Sequence, residues 1–414
     1  MIGVVDCNNF YVSCERVFHP EYHLHPVVVL SNNDGCVISR SNEAKRMGIK
    51  MGQPFFQVKH LMDEGKLMVR SSNYTLYGDM SRRVMSVIRG MVPRMEVYSI
   101  DEAFIDLRGI GECRALGLEI ARKVRKWTGI PVSVGLGPTK TVAKMASKFA
   151  KQYAGYQGCC AIDTDEKRWK ALRLFPVGDV WGVGRRIVKM MDYYGVHTAY
   201  DLTQLSRQRV QREYGIDGVR TWLELHGTPC YDFDAAVAKK SITTSRSFKK
   251  EIDSLQELEG LVADFAAHCA RKLRMQKGNA ARLEVFVRTN RFHTEEKQYA
   301  DSAQVTFAVP TSDARELIKG ALQGLRSIYR AGVGYKQAGV TVAQIQEGGV
   351  QMQMFDQVDR MKQQKLLQAI DGIHQYHGSQ MLSIATQQDS SNAANRQYTT
   401  PCYTTNPHTL VKVR

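Results

Sequence analysis

Nine cysteines are present, but no two stand in a C-x-x-C spacing, which argues against a zinc site or a disulfide framework. Cys7, Cys14, Cys36, Cys113, Cys159, Cys160, Cys230, Cys269 and Cys402 are scattered and odd in number, as reduced thiols of a cytosolic protein would be. No apolar run approaches the ~18 residues that cross a bilayer. The first residues carry neither a basic start nor an apolar signal core, so a soluble, unexported cytoplasmic chain with no membrane partner is expected. No internal repeat is found. Acids are the scarcer charge: 41 Asp and Glu stand against 57 Lys and Arg, a net charge of +16. That balance favours a polyanionic partner such as nucleic acid, with anionic lipid or plain solubility as the other readings.

At 414 residues the chain is long enough for two to four domains at roughly 150 residues each. The stretch from Val97 to Asp106 reads as an apolar and aromatic β-strand interrupted by adjacent acids, Asp101 and Glu102. Charge carried into a half-buried sheet is costly unless it is paired, hydrogen-bonded or bound to metal; the alternative is a strand end where both acids face water. Ile2 to Val5 is a second short strand, ending at Asp6. Further strands are expected at Val27–Leu30 and Val132–Gly137, with helices at Asn42–Gly48, Tyr77–Gly90, Leu116–Trp127 and Thr139–Lys151. Lysines 140, 144, 148 and 151 lie along one face of the last helix, which reads most simply as a solvated face. This alternation indicates an α/β or α+β catalytic domain.

Near Pro176 two short helical patterns flank Gly182-Val183-Gly184, with Arg185, Arg186 and Lys189 beside them. This is the layout of a helix-hairpin-helix, whose glycines leave backbone N–H groups open to a phosphate; a plain tight turn between packed helices is the other reading. From about Ser241 the texture changes, and a helix, alternating strands, a second helix and a final strand at Gly339–Val342 make a separate small α+β domain. Beyond Gly348-Gly349 the chain reads as a mobile tail with embedded recognition elements.

Carboxylates converging from separate strands can hold two divalent cations for an in-line phosphoryl transfer. Asp6, Asp101 and Glu102 supply such a set, while Asp106 reads as structural and Asp79 as a helix-start acid. Lys45 and Lys151 are candidates to meet an incoming polyphosphate, with Arg46 a neighbouring competitor. Gly135 to Lys140 lacks the spacing of a phosphate-binding P-loop.

Four stretches, Asp6-Cys7-Asn8-Asn9-Phe10-Tyr11, Tyr98 to Phe104 with its Ser-Ile-Asp-Glu-Ala core, Gly137 to Lys144, and the Gly182–Gly184 hairpin, resemble the Y-family, or DinB/UmuC-type, translesion DNA polymerases. Leu30 to Val37, Asp179 to Arg186 and Tyr403-Thr404-Thr405 are similar to its UmuC branch and the plasmid-borne MucB and RumB members. The resemblance implies a multidomain α+β right hand: palm (1–12 and 78–166), fingers (13–77), helix-hairpin-helix thumb (167–235), little finger (241–345) and a C-terminal tail (346–414). It implies an error-prone translesion DNA polymerase, the catalytic subunit of a DNA polymerase V-like complex in the SOS response, nucleoid-associated when active in a bacterium. Asp6, Asp101, Glu102 and the Cys7 carbonyl would hold two Mg²⁺ ions, with Mn²⁺ as an alternative; Asn8, where the family often has a second Asp, is not assigned to metal.

Tyr11 would be the steric gate against ribonucleotides, and Lys45 and Lys151 would hold the dNTP triphosphate. The family often has Tyr-x-x-Arg where this chain has Asn42-Glu43-Ala44-Lys45. Gly182, Gly184, Arg185, Arg186 and Lys189 would bind primer–template DNA. Gln351, Met354 and Phe355 resemble the peptide by which polymerases bind the sliding clamp. A UmuD′-like dimer and the RecA filament are the further partners implied. A nucleotidyl cyclase-like transferase and a non-catalytic DNA-binding protein are the competing classes; the hairpin and the basic small domain disfavour the first, and the three intact acids the second.

Overall fold

The unbroken apolar run Val27–Leu30 is fully buried in the computed structural model, as a strand covered on both faces should be, and Val132–Gly137 is buried along its whole length despite Ser133. The structure describes residues 1–233, 238–293, 295, 297–348, 358–377, 381–387 and 396–406. The chain divides into two units, Met1–Ala235 with Arg396–Arg414, and Ala236–Asn395.

The first unit runs β1 (Ile2–Cys7), α1 (Phe10–Phe18), β2 (Val27–Leu30), β3 (Val37–Arg40), α2 (Asn42–Arg46), α3 (Lys59–Asp63), β4 (Met68–Ser71), α4 (Tyr74–Arg89), β5 (Arg94–Val97), β6 (Glu102–Asp106), α5 (Cys113–Thr128), β7 (Val132–Gly137), α6 (Lys140–Gln152), β8 (Cys159–Ala161), α7 (Asp165–Leu174), α8 (Arg185–Tyr193), α9 (Ala199–Thr203) and α10 (Arg207–Leu225). Its main sheet has the order β5-β6-β1-β7-β8, and a smaller one the order β3-β2-β4. Val5, Cys7, Ala103 and Ile105 point to one face of the main sheet and pack with Val84 and Ile88 of α4 and Ile120 and Val124 of α5. Ile2, Val4 and Phe104 point to the other, where they meet Ala143 of α6. A side-chain period of two in β1 therefore puts Asp6 on the α6 side.

The acidic strand is not continuous. It is a hairpin in which β5 and β6 pair antiparallel, and Asp101 sits in the connecting turn. Backbone N–H groups of Tyr98 and Ser99 both donate to the Glu102 carbonyl, at 3.0 and 3.1 Å. The Ser99 hydroxyl accepts from the N–H of Asp101 (3.2 Å) and of Glu102 (3.0 Å), a side-chain-to-backbone turn that breaks the strand.

In the second unit β9 (Ser241–Ile252), α11 (Leu255–Met275), β10 (Gly278–Arg288), β11 (Ala300–Thr311), α12 (Ala314–Ile328) and β12 (Tyr335–Glu347) form an antiparallel sheet of order β11-β10-β12-β9. Phe265 and Leu273 of α11 and Leu317 and Leu325 of α12 pack with Leu283, Val285 and Val340 of the sheet. The stretch after Ser241, read from sequence only as a change of texture, is the long strand β9.

A uniform mobile tail after residue 346 is not what the structure has. Helix α13 (Arg360–His377) is tied to the second unit by Asp371, which accepts from Arg274 at 2.7 Å through both oxygens, and by Gln363, which donates to Asp313 at 2.6 Å. Residues 396–406 pack with the first unit. There the Ser71 N–H of edge strand β4 donates to the Tyr398 carbonyl (3.1 Å), and the Tyr398 N–H donates to the Ser71 hydroxyl (3.0 Å). No described helix is long and apolar enough to cross a membrane.

Candidate active site

Asp6 of β1 stands directly opposite Glu102 of β6 in antiparallel register, so the two carboxylates lie side by side on the α6 face. The same face carries Glu96, opposite Phe104. Against this row of acids α6 sets its lysines: Lys140 donates to Glu96 at 2.6 Å, Lys144 to Glu102 at 2.9 and 3.1 Å, and Lys151 to Asp6. Lys148 pairs outside the sheet with Asp179.

The expectation of a solvated lysine face is therefore overturned, most plainly at Lys140, which is 3% exposed. That ammonium also donates to the Asp232 carbonyl at 2.6 Å and lies over the rings of Phe104 and Phe233. The helix can approach this closely because β7 has glycine at 135, where a Cβ would fall 2.1 Å from the Ala143 carbonyl and the Ser147 nitrogen. Asp6, Glu102, Lys144, Lys151 and Trp181 line one cleft.

Burial pushes the Asp6 carboxyl up to about 7; Lys151 pulls it down and the neighbouring Glu102 charge pushes it further up. The folded chain thus retains a proton on Asp6 that the unfolded chain, at the ordinary 3.8, releases. Its stabilising contribution is complete below that value and is lost as pH rises through about 7. In metal-free buffer the melting temperature of the wild type is expected to fall relative to Asp6→Asn across this window; parallel pH profiles would contradict it.

Asp101 completes the acidic group from the turn. Its carbonyl accepts from the Cys7 N–H at 2.9 Å and its carboxylate from the Ser99 hydroxyl at 2.6 Å. Among the described residues no three acid, His or Cys side chains already converge on one ion position. The donor set nevertheless suits a hard divalent cation. Carboxylates and a main-chain carbonyl are all-oxygen ligands, and two half-buried facing carboxylates are the charge such an ion relieves. Asn8 is used structurally, its Oδ1 accepting from the Ser133 hydroxyl at 3.0 Å. Asp106 is held by Arg108 through both oxygens, which keeps its carboxyl below the ordinary range and matches a supporting role.

Tyr11 projects from the first turn of α1, half-buried, its ring stacked on Tyr77 of α4 at 4.7 Å and edge-on to Tyr74 at 5.9 Å. Burial raises its phenol, and Tyr74 and Asp101 push the same way. Lys45 of α2 donates to Asn9 Oδ1 at 2.6 Å and to Asn42 Oδ1 at 3.3 Å. Lys45 is exposed, yet desolvation lowers its ammonium, and Arg40 and Lys151 add to this, so Lys45 and Lys151 feel each other near Asp6.

Two contributors are missed from sequence. Lys144 holds Glu102, and its place in the lysine row was the available signal. Asn9, in the left-handed region at φ 48°, both ends β1 and anchors Lys45; an Asn-Asn pair before a helix was its signal. At the hairpin, Gly182 has φ +92° and a Cβ there would meet the Thr221 hydroxyl at 2.9 Å, so glycine is required. Gly184 precedes α8, and Arg185, Arg186 and Lys189 are exposed on that helix. Gln351, Met354 and Phe355 lie outside the described residues.

Residues 5–148 match the impB/mucB/samB family, 239–354 that family's C-terminal domain, and 364–413 a domain of unknown function, DUF4113. Protein UmuC of Salmonella typhimurium is 40% identical over 422 residues, covering 100% of both chains. Protein ImpB of Salmonella typhimurium is 38% identical over 413 residues, 98% of this chain and 97% of that one. Among solved structures, a Y-family DNA polymerase chimera superposes with a TM-score of 0.66 at 18% identity, over 84% of this chain and 100% of that one, a likeness of fold.

Proposed function

Since the chain belongs to the impB/mucB/samB family of Y-family DNA polymerases, we propose that it is the catalytic subunit of an error-prone translesion polymerase, in which a primer 3′-hydroxyl attacks the α-phosphate of a dNTP and pyrophosphate leaves, a two-metal nucleotidyl transfer. The observation that carries this reading is the facing pair Asp6 and Glu102, with Asp101 beside them, in a cleft also lined by Lys144 and Lys151.

Asp6, Asp101, Glu102 and the Cys7 carbonyl would hold the divalent ions, Mg²⁺ with Mn²⁺ as a substitute. When bound, the ions polarise the reacting phosphate and favour the ionised primer hydroxyl. The protein's own part is positioning and charge. Lys151, now on Asp6, is placed to exchange that carboxylate for a triphosphate oxygen, and Lys45 approaches the same anion from α2. Tyr11 lies under the sugar and leaves no room for a 2′-hydroxyl. The backbone N–H groups at Gly182 and Gly184, with Arg185, Arg186 and Lys189, take backbone phosphates of the primer–template.

Primer extension by the purified full chain on primed DNA with Mg²⁺ tests this. Incorporation that depends on the ion supports it, and metal-independent incorporation, or none with either ion, overturns it.

The wider setting belongs to the same proposal: cytoplasmic action on nucleoid DNA during the SOS response, with a sliding clamp, a UmuD′-like dimer and the RecA filament as partners. The clamp contact is assigned to Gln351, Met354 and Phe355, a Gln amide and two apolar anchors that suit a groove. Deleting 351–355 is expected to weaken clamp binding, read by surface plasmon resonance, by at least about tenfold while distributive extension persists. Equal clamp affinity would remove the peptide from this role.

A further inference from the structure

Tyr77, on which Tyr11 is stacked, is fully buried and has one polar atom to place. Its hydroxyl donates to Glu15 Oε1 at 2.7 Å. Glu15 comes from the buried side of α1, one turn beyond Tyr11, and is also fully buried. A second hydroxyl donates to that same oxygen, from Thr400 at 3.2 Å, while Glu15 Oε2 has no hydrogen-bond partner among the described residues. Among the described residues the carboxylate's hydrogen bonds thus come from two hydroxyls, one of them on a segment more than three hundred residues away in the chain. Burial pushes the Glu15 carboxyl up and the two hydroxyls pull it back.

Thr400 is itself fixed. Asn73, whose side chain caps α4 by accepting from the Leu76 N–H at 3.2 Å, donates through its amide to the Thr400 carbonyl at 2.9 Å. On one side of Thr400 the strap is paired with Ser71; on the other, Tyr403 stacks on Phe18 at 4.7 Å and hydrogen-bonds His19 at 3.0 Å. The strap therefore joins the C-terminal end of α1 to the N-terminal cap of α4, the two helices that carry Tyr11 and Tyr77.

We propose that Thr400, Glu15 and Tyr77 are positioning residues for Tyr11, and that the C-terminal strap 396–406 thereby sets how strongly the site rejects ribonucleotides. This rests on the polymerase reading and on Tyr11 as the gate. The physical reason is stiffness: a ring excludes a 2′-hydroxyl only if it cannot yield by a few tenths of an ångström. Tyr77 is the ring on which Tyr11 is stacked face to face, so movement of Tyr11 along that face depends on Tyr77, whose polar anchor ends at the strap.

The test is single-nucleotide incorporation of matched rNTP and dNTP by the full-length chain, wild type against Thr400→Val, Tyr77→Phe, Tyr11→Ala and the Tyr11→Ala/Thr400→Val double variant. Thr400→Val and Tyr77→Phe are expected to raise the ribonucleotide-to-deoxynucleotide ratio of kcat/KM about three- to tenfold, the worth of one buried hydrogen bond. Thr400→Ser is expected to restore the wild-type ratio. In the Tyr11→Ala background Thr400→Val is expected to add nothing, because the ring that it positions is gone. A lowered melting temperature with an unchanged ratio in Thr400→Val and Tyr77→Phe, while Tyr11→Ala relaxes it, overturns the proposal and leaves the gate standing. An unchanged ratio in Tyr11→Ala overturns the gate reading, and loss of all dNTP incorporation by wild type the polymerase reading; either removes the strap's role with it.

Discussion

Alanine at Asp6 or Glu102 is expected to lower primer extension by about three orders of magnitude or more, which corresponds to roughly 4 kcal/mol of transition-state stabilisation. Their register partnership makes them a unit: each stands across from the other on neighbouring strands, and each is held by a lysine of α6. Removing one leaves its lysine without a carboxylate and takes away one of the three carboxylates that a divalent cation would meet. Glu102→Gln separates the two effects. It keeps the volume and a hydrogen-bonding group while removing the charge, so its fold should survive, judged by circular dichroism, as extension collapses. Asp101→Ala is expected to behave similarly, although Asp101 reaches the site from a turn held by Ser99. Extension within tenfold of wild type in Glu102→Gln and Asp101→Ala would sink the two-metal assignment.

The second large effect is expected at Tyr11. Alanine there is expected to raise ribonucleotide incorporation relative to dNTP by roughly 10- to 100-fold, since accommodating an extra group against a packed ring costs about 1–3 kcal/mol. The effect falls on sugar choice because Tyr11 makes ring contacts with Tyr77 and Tyr74 and carries no charge needed for chemistry. Competition between labelled rNTP and dNTP on one primer reads the ratio directly. Unchanged discrimination would take Tyr11 out of the gate.

Much of this centre is legible in the sequence because its parts are local. Asp6 ends an apolar run, Asp101 and Glu102 are adjacent, and the near-continuous burial of β1 and β7 is what strands covered on both faces show. What is not legible depends on which surfaces meet. Four lysines on one helix face look solvated until a row of acids is set opposite three of them, and the antiparallel order β5-β6-β1 that builds this row joins segments some ninety residues apart. The break in the acidic strand turns on one hydroxyl, Ser99, competing with the ladder for backbone N–H groups. The strap is hidden for a different reason. Its contacts are a few side chains, among them Thr400 and Tyr403, and scattered main-chain hydrogen bonds, too sparse to produce any hydrophobic period, so a polar stretch that packs reads like one that does not.

Pairing between Ser71 and Tyr398, 327 positions apart, also bears on how the protein is made. At a synthesis rate of roughly 5–20 residues per second, β4 leaves the ribosome about 15 to 65 s before the segment that covers its edge. Throughout that interval the nascent chain presents an unpaired strand rim, the surface at which edge-to-edge association begins. The first unit is thus the earliest to start and the last to close, and every product of interrupted translation short of residue 396 carries that rim open.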